Sequence, residues 1–198
     1  MTIAAVLLAG GSGSRFAADS HKLLADLRGT PVAVWAIADA LDAGFDEVMV
    51  VTGAVDVVAE LNEGFSPNQL RGVDLGRLTV LHNEDWAEGM ATSLNVAVDH
   101  ARDAHHEAIV VGLADQPFVG VDAWRAVRAS SSPIAVASYD GARRNPVRLA
   151  AMVWPLLPRT GDSGARAVMK SRPDLVEPIP CVGLADDIDT VEDLRRWS

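Results

Sequence analysis

The chain is first narrowed by what it lacks. It carries one cysteine, Cys181, in 198 residues, so it can form no intrachain disulfide and build no cysteine cage for a metal. No apolar run is long enough to cross a bilayer. The N-terminal run IAAVLL has no basic segment before it and leads into GGSGSR rather than a small-residue cleavage site, so it does not read as a secretory leader. These absences predict a cytoplasmic protein with no membrane partner. Basic charge is also scarce: 17 Lys and Arg stand against 27 Asp and Glu, a net charge of -10. Nucleic acid and anionic membranes both need a basic surface, so the balance argues against either as a partner. No G-x-x-x-x-G-K-[ST] phosphate loop is present, and the G-x-G-x-x-G dinucleotide fingerprint fails because Gly11-x-Gly13 is followed by Phe16. There is no H-E-x-x-H and no Ser/His/Asp pattern, which leaves zinc chemistry and nucleophilic catalysis without support. His82 alone reads as structural, and the adjacent His105 and His106 read as solvated.

What is present is an ordinary soluble composition, 49% hydrophobic and 22% charged, with no internal repeat, read as one domain over residues 1–198. Strand-like runs fall at Ile3–Leu8, Glu47–Thr52, Leu78–Leu81, Ala108–Leu113, Ile134–Ser138, Pro146–Leu149 and Leu175–Pro180. Helical patterns lie between them. Thr30-Pro31 reads as N-cap and first helical residue of a helix to about Ala43, followed by helices at Val55–Leu61, Met90–Ala104, Asp122–Arg128, Asp162–Lys170 and Val191–Trp197. Gly64–Gly76 reads as loop. The alternation predicts an α/β fold with a mostly parallel sheet covered on both faces, and places ligands at the carboxyl ends of the strands.

Four segments carry chemistry. The first is LAGGSGSRFAADSHKLL, Leu8 to Leu24, where an apolar strand runs into a loop of small residues, Gly10 to Ser14. Such a loop lets backbone N–H groups approach an anion closely. Arg15 can grip phosphate oxygens in a planar fork and Lys22 can act as a point charge. The competing reading is a surface turn with two solvated cations. The second is VVGLADQPFV, in which Asp115 follows a strand at the same sheet edge, placed either to ligate Mg²⁺ or to make a turn. The third, LADDIDTVEDL, crowds Asp186, Asp187 and Asp189 ahead of a helix that Asp189 or Thr190 is placed to cap; a cation would relieve the repulsion. The fourth is HNEDWAEGMATSL, where Gly89 precedes a helix start and Thr92 and Ser93 are placed to meet a ligand or cap that helix.

In this order, LAGGSGSRF…KLL, WAEGMATSL, ADQPFV, RNPV, GDSGAR and DDIDTVEDL resemble the motifs of the nucleotidyltransferases of the molybdenum-cofactor group, above all the molybdopterin cytidylyltransferases. The likeness covers nearly the whole chain. It implies a Rossmann-like three-layer domain of the nucleotide-diphospho-sugar transferase type. It implies an NTP with Mg²⁺, and attack of an acceptor phosphate on the nucleotide α-phosphate with release of pyrophosphate. By that resemblance Leu8, Ala9, Gly10, Gly11, Ser12, Gly13, Gly89 and Ser93 border the nucleotide. Arg15 and Lys22 neutralise its phosphates, Asp115 and Asp189 hold the metal, and Arg15, Lys22 and Asp115 are the catalytic set. Asn145, Asp162 and Arg166 lie toward a phosphorylated pterin-type acceptor, whose product passes to a molybdoenzyme. The departures have consequences. LAGG in place of LAAG is more typical of guanylyl relatives, which leaves GTP open beside the favoured CTP. The spacing from Arg15 to Lys22 is two residues longer than the family's R-M-G-x-x-K, as in cytidylyltransferases of isoprenoid synthesis. Arg144 and Asn145 replace Gly and His of GHPV, which leaves open another phosphorylated acceptor, or a non-catalytic module that binds and delivers the cofactor.

Overall fold

The continuous apolar run at the N-terminus becomes β1 (Ile3–Ala9), an interior strand of the sheet and buried along its whole length. Ile3, Ala5, Leu7 and Ala9 enter one core, and Ala4, Val6 and Leu8 the other, as the two-residue period of a strand dictates. The structure is a computed structural model that describes residues 2–16 and 20–198. After β1 a two-strand ribbon, β2 (Asp26–Leu27) with β3 (Thr30–Pro31), leads into α1 (Val32–Asp42). Thr30 and Pro31 are therefore extended ribbon rather than the first helical residues, and the helix starts one residue beyond the proline. Next come β4 (Glu47–Thr52) and α2 (Val57–Gly64), which the Asp56 side chain caps through the Ala59 N–H. They are followed by β5 (Thr79–His82), α3 (Met90–Asp103), β6 (Ala108–Leu113) and α4 (Val121–Ala129). The chain continues through β7 (Ile134–Tyr139), β8 (Ala142–Ala150), α5 (Gly164–Ser171), β9 (Val176–Pro180) and α6 (Val191–Trp197).

Seven strands form one sheet in the order β5-β4-β1-β6-β8-β7-β9, and only β8 runs against its neighbours. The sheet is thus mostly parallel, as the alternation of elements required. β7 and β8 form a hairpin whose turn, Asp140-Gly141, has φ of 49° and 82°, the positive pair that a two-residue turn between twisted strands needs. β8 starts four residues earlier than its apolar run, because Ala142, Arg143 and Arg144 are paired but exposed. α5 begins at Gly164 rather than Asp162, since residues 161–163 are held in a loop against the start of α3.

The helices fill both faces. α1, α2 and α4 pack on the Leu7 face with Val34, Ile37, Leu61 and Trp124, and α6 adds Leu194 and Trp197. α3 and α5 pack on the Val6 face with Leu94, Val98 and Val168. This is the three-layer Rossmann-like arrangement. The chain passes from β1 to β4 on one side and later to β6 on the other. The carboxyl ends of β1, β4 and β6 therefore surround a topological switch point, where a crevice is left open. At the opposite end, one histidine departs from expectation. His106 is 9% exposed and its Nε2 lies 2.7 Å from Glu47 Oε2, while His100 Nε2 lies 2.9 Å from Oε1 of the same carboxylate. His105, at φ 59°, turns the chain and brings its neighbour inward. Among the described residues, no helix is long and apolar enough to cross a membrane.

Candidate functional site

The crevice is built by three loops that leave the carboxyl ends of parallel strands. Beyond β1, Gly10 passes so close to the loop after β4 that a Cβ at Gly53 would lie 2.7 Å from the Gly10 carbonyl and 2.7 Å from Trp86 Cβ. Only glycine fits there, and the Ala54 N–H donates to the Gly10 carbonyl at 3.2 Å. Gly13 takes φ 63°, and the Phe16 N–H closes a turn on its carbonyl at 2.8 Å. Phe16 is buried, so it anchors the far side of the small-residue loop at the point where the dinucleotide fingerprint would have a glycine. The lengthened spacing between Arg15 and Lys22 falls partly on residues 17–19, outside the described residues.

Lys22 is the hub. Its Nζ donates to Asp115 Oδ2 at 2.5 Å and to Asp189 Oδ1 at 2.8 Å, and the three side chains are 12%, 17% and 23% exposed. Burial pulls the Lys22 ammonium toward a lower pKa. The charge of Asp115 and the hydrogen bonds donated to both carboxylates outweigh it, and hold the group above the ordinary lysine value. Arg15 reaches Asp189 Oδ2 at 3.0 Å but is 76% exposed, so this contact is screened and mobile enough to exchange for a ligand. Asp115 sits just beyond β6, and its carbonyl accepts from the N–H of the fully buried Ile188 at 2.9 Å. That pin brings the DDIDT segment beside Asp115. Asp189 does not cap α6. Thr190 does, in a reciprocal box in which its Oγ1 accepts from the Asp193 N–H at 3.1 Å and Asp193 Oδ2 accepts from the Thr190 N–H at 2.8 Å. The Asp189 carboxylate is left for Lys22 and Arg15.

The fit of a divalent cation is tested by the atoms left over. Asp115 Oδ1 is buried and has no hydrogen-bond partner among the described residues. A bare carboxylate oxygen beside a second carboxylate suits a hard cation. Among the described residues, no group of three or more His, Cys, Asp or Glu side chains forms a metal cage. Asp115 and Asp189 would therefore supply few ligands, leaving phosphate and water as the rest, the arrangement Mg²⁺ prefers. The residues present fit such an ion.

Two clefts meet here. The first, about 370 Å³, is bordered by Leu8, Ala9, Gly10, Gly11, Ser12, Arg15, Lys22, Ser93 and Asp115, nine of the residues that the sequence singled out. Gly13 borders a smaller hollow with Arg15, Lys22 and Asp189. The second cleft, about 430 Å³, holds Asn145 and Arg166 and shares Leu8, Met90 and Leu113 with the first. Asp162, expected toward the acceptor, borders the first cleft instead. Gly161 accepts from the Ala91 N–H at 2.9 Å and donates to the Glu88 carbonyl at 2.8 Å, and these bonds tie its loop to the start of α3. Gly89 is on neither wall; its φ of 108° admits the close approach of that loop. Thr92 is internal, its Oγ1 2.8 Å from the Gly89 carbonyl.

Sequence reasoning passed over three contributors. Asn83, 2% exposed, donates to Thr92 Oγ1 at 2.8 Å and to Ser93 Oγ at 2.9 Å, which fixes the Ser93 hydroxyl at the cleft wall. Trp86 closes that wall beside Gly53. His21 latches the glycine loop: its Nδ1 accepts from the Leu23 N–H at 3.3 Å, so the other nitrogen, Nε2, carries the proton and donates to the Gly11 carbonyl at 3.0 Å. Its only sequence signal is its place next to Lys22. Burial lowers the His21 pKa below the ordinary 6.5; the bond to Gly11 opposes the shift and the Lys22 charge adds to it. Protonation takes away the Nδ1 acceptor, so the latch is complete above the ordinary value and loses its Leu23 anchor as pH falls through the depressed folded-state value, while Nε2–H still donates to Gly11. Titrating nucleotide affinity from about pH 8 to about pH 5 is expected to show weakening on the acid side in this window, and His21→Gln to flatten that limb. An unchanged acid limb in His21→Gln would assign the titration elsewhere.

A family profile described as MobA-like NTP transferase domain matches residues 5–176. The chain is 30% identical to a protein named nicotine blue oxidoreductase from Paenarthrobacter nicotinovorans, covering 98% of this chain and 95% of that one. It is 29% identical to the purine catabolism protein PucB of Bacillus subtilis (strain 168), covering 95% of this chain and 92% of that one. Among solved structures it is similar to Rv0371c of Mycobacterium tuberculosis H37Rv in complex with manganese, with a TM-score of 0.77 and 26% identity over 99% of this chain and 97% of that one.

Proposed function

The chain belongs to the MobA-like NTP transferase family, and from that membership we propose that this nucleotidyltransferase moves CMP from CTP onto a phosphorylated pterin-type acceptor, as one domain spanning residues 1–198. The observation that carries the reading is the meeting of Lys22, Asp115 and Asp189 where a glycine-bordered cleft adjoins an arginine-lined one. In the proposed reaction an oxygen of the acceptor phosphate forms a bond to the α-phosphorus, the α–β bridging P–O bond breaks, and pyrophosphate leaves. Gly10 to Gly13 bring backbone N–H groups to the triphosphate, and Arg15 and Lys22 neutralise it. Ser93 and Trp86 shape the wall for the nucleoside. Asn145 and Arg166 hold the acceptor so that its phosphate points across the shared Met90 and Leu113 boundary, and positioning of this kind is a large part of phosphoryl-group catalysis. Asp115 and Asp189 would hold Mg²⁺, which when bound supplies charge neutralisation at the transferring phosphate. The manganese complex of the mycobacterial neighbour supports a divalent ion in this fold. The redox activity named for the Paenarthrobacter relative is not carried over.

GTP is the alternative nucleotide, because Gly10 replaces the alanine of the cytidylyl motif. The space beside it is small: a Cβ at Gly10 would lie 3.0 Å from Ser93 Oγ. Thermal shift with each of four NTPs, with and without Mg²⁺, is expected to give a Mg²⁺-dependent rise with CTP; the largest rise with GTP would move the assignment to guanylyl transfer. Asp115→Asn is expected to lower pyrophosphate release at least about 10²-fold with the fold retained. Full turnover in that variant would remove the metal assignment. Tight cofactor binding by the wild type, without turnover under any NTP, would favour a delivery module.

A further inference from the structure

Asp187 and Asp189 flank Ile188, and the fold sends them to different partners. Asp189 joins Lys22 and Arg15. Asp187 lines the second cleft and accepts a 2.5 Å hydrogen bond from Gln116 Nε2. Gln116 is 4% exposed, and its Nε2 also faces the Ala185 carbonyl at 3.4 Å. A carboxylate and a carbonyl only accept, so the amide can point just one way. Its Oε1 then faces Asn145, whose Nδ2 donates at 3.0 Å. This fixes Asn145 as well. Both donors of Gln116 are spent within the protein. Asp187 Oδ2 and Asn145 Oδ1 remain acceptors with no hydrogen-bond partner among the described residues.

The rest of the cleft specifies what these two oxygens would meet. Arg143, Arg144 and Arg166 offer donors and positive charge, and Val136, Val147 and Met169 offer an apolar wall. A matching ligand carries an anion, an apolar or flat body, and hydrogen-bond donors held in fixed directions. A phosphorylated heterocycle with ring N–H and amino groups has all three. A sugar phosphate has the anion, rotating hydroxyls and no apolar body.

We propose that Asp187 and Asn145, locked in place by the positioning residue Gln116, select the acceptor by accepting hydrogen bonds from its ring N–H groups, and that Asp187 takes no part in metal binding. This rests on the pterin-type acceptor proposed above. The division of labour then falls between neighbours in sequence: Asp115 serves the nucleotide side, and Gln116 serves the acceptor side.

The test measures two affinities on the full chain: 6-hydroxymethylpterin phosphate by its own fluorescence, and Mn²⁺ with CTP by electron paramagnetic resonance. Ribose 5-phosphate is the control acceptor. Asp187→Asn keeps the shape and turns one acceptor into a donor. It is expected to weaken the pterin phosphate at least about tenfold and to leave Mn²⁺ binding at the wild-type value. Asp189→Asn is expected to do the reverse. Gln116→Met is expected to copy the selective loss and to add little in the double variant with Asp187→Asn, the non-additivity of residues acting as one unit. Loss of Mn²⁺ from Asp187→Asn, or wild-type pterin affinity in it, would overturn the proposal. Factors that multiply in the double variant would remove the positioning role. A wild type that binds Mn²⁺ and CTP but not the pterin phosphate would instead strike the acceptor reading itself, and the selection proposed here with it.

Discussion

Lys22→Met is expected to slow nucleotidyl transfer by about 10²- to 10³-fold, the loss seen when one preorganised donor to a developing negative charge is removed. The structure adds a second expectation. One ammonium is shared by Asp115 and Asp189 at 2.5 and 2.8 Å, so methionine leaves two mostly buried carboxylates facing each other. The cost to stability is roughly 1–3 kcal/mol, below that of a fully buried pair because Arg15 still faces Asp189 and water still reaches it. On the proposed metal assignment, a divalent cation would compete for the carboxylates that Lys22 now neutralises. Mn²⁺ added without nucleotide is therefore expected to raise the Tm of Lys22→Met more than that of the wild type. In the wild type, Mn²⁺ and CTP together are expected to do more than the sum of each alone, since a triphosphate draws the ammonium away from the carboxylates. Pyrophosphate release and melting curves check both. Wild-type turnover in the variant would take Lys22 out of the chemistry. Equal Mn²⁺ shifts would show that the ammonium does not occupy the carboxylate pair in solution.

How much of this was legible follows from which signals are local. The buried strands β1, β4 and β6 announce themselves as apolar runs, and the residues just past them, Gly10 and Asp115, fall at the sheet edge once the alternation is recognised. The first half of β8 has no such signal. Residues 142–144 are exposed, and the only local cue is the Asp-Gly pair before them. The ribbon at Asp26–Leu27 and Thr30–Pro31 is too short for any period to show. In the site, residue types were legible and partnerships were not. Lys22 reaches across 93 residues to Asp115 and across 167 to Asp189, and no spacing rule links those positions. The different partners of Asp187 and Asp189, the buried Gln116 for one and Lys22 for the other, are equally invisible in the local sequence. His106 misled for the same reason: two adjacent histidines resemble a solvated pair until Glu47, 59 residues away, turns one of them inward.

Gly89 carries the other large expected effect, and it shows how a motif glycine can matter without lining either cleft. Its backbone lies at φ 108° and ψ 171°, a region open essentially to glycine alone. A Cβ there would stand 2.5 Å from the Gly161 carbonyl carbon, 2.7 Å from its oxygen and 2.8 Å from Asp162 Oδ1. Backbone cannot move aside as a flexible side chain can. Gly89→Ala must therefore break the contact in which Gly161 bonds Glu88 and Ala91, and with it the placement of Asp162 and Met90 on the first cleft. Strain and two lost hydrogen bonds together amount to about 3 kcal/mol, which in a chain of this size lowers Tm by roughly 6–12 °C. Gly44→Ala separates the two causes. Gly44 also has a positive φ, 80°, but a Cβ there meets nothing within 4 Å, so conformational cost alone applies, about 1–2 kcal/mol. Gly89→Ala is expected to melt well below Gly44→Ala and to lose nucleotide affinity that Gly44→Ala keeps. Equal melting temperatures would mean that the loop at residue 161 does not rest on Gly89 in solution. The first cleft would then lack the wall that α3 and Asp162 make together, and the nucleotide would need another explanation for its fit.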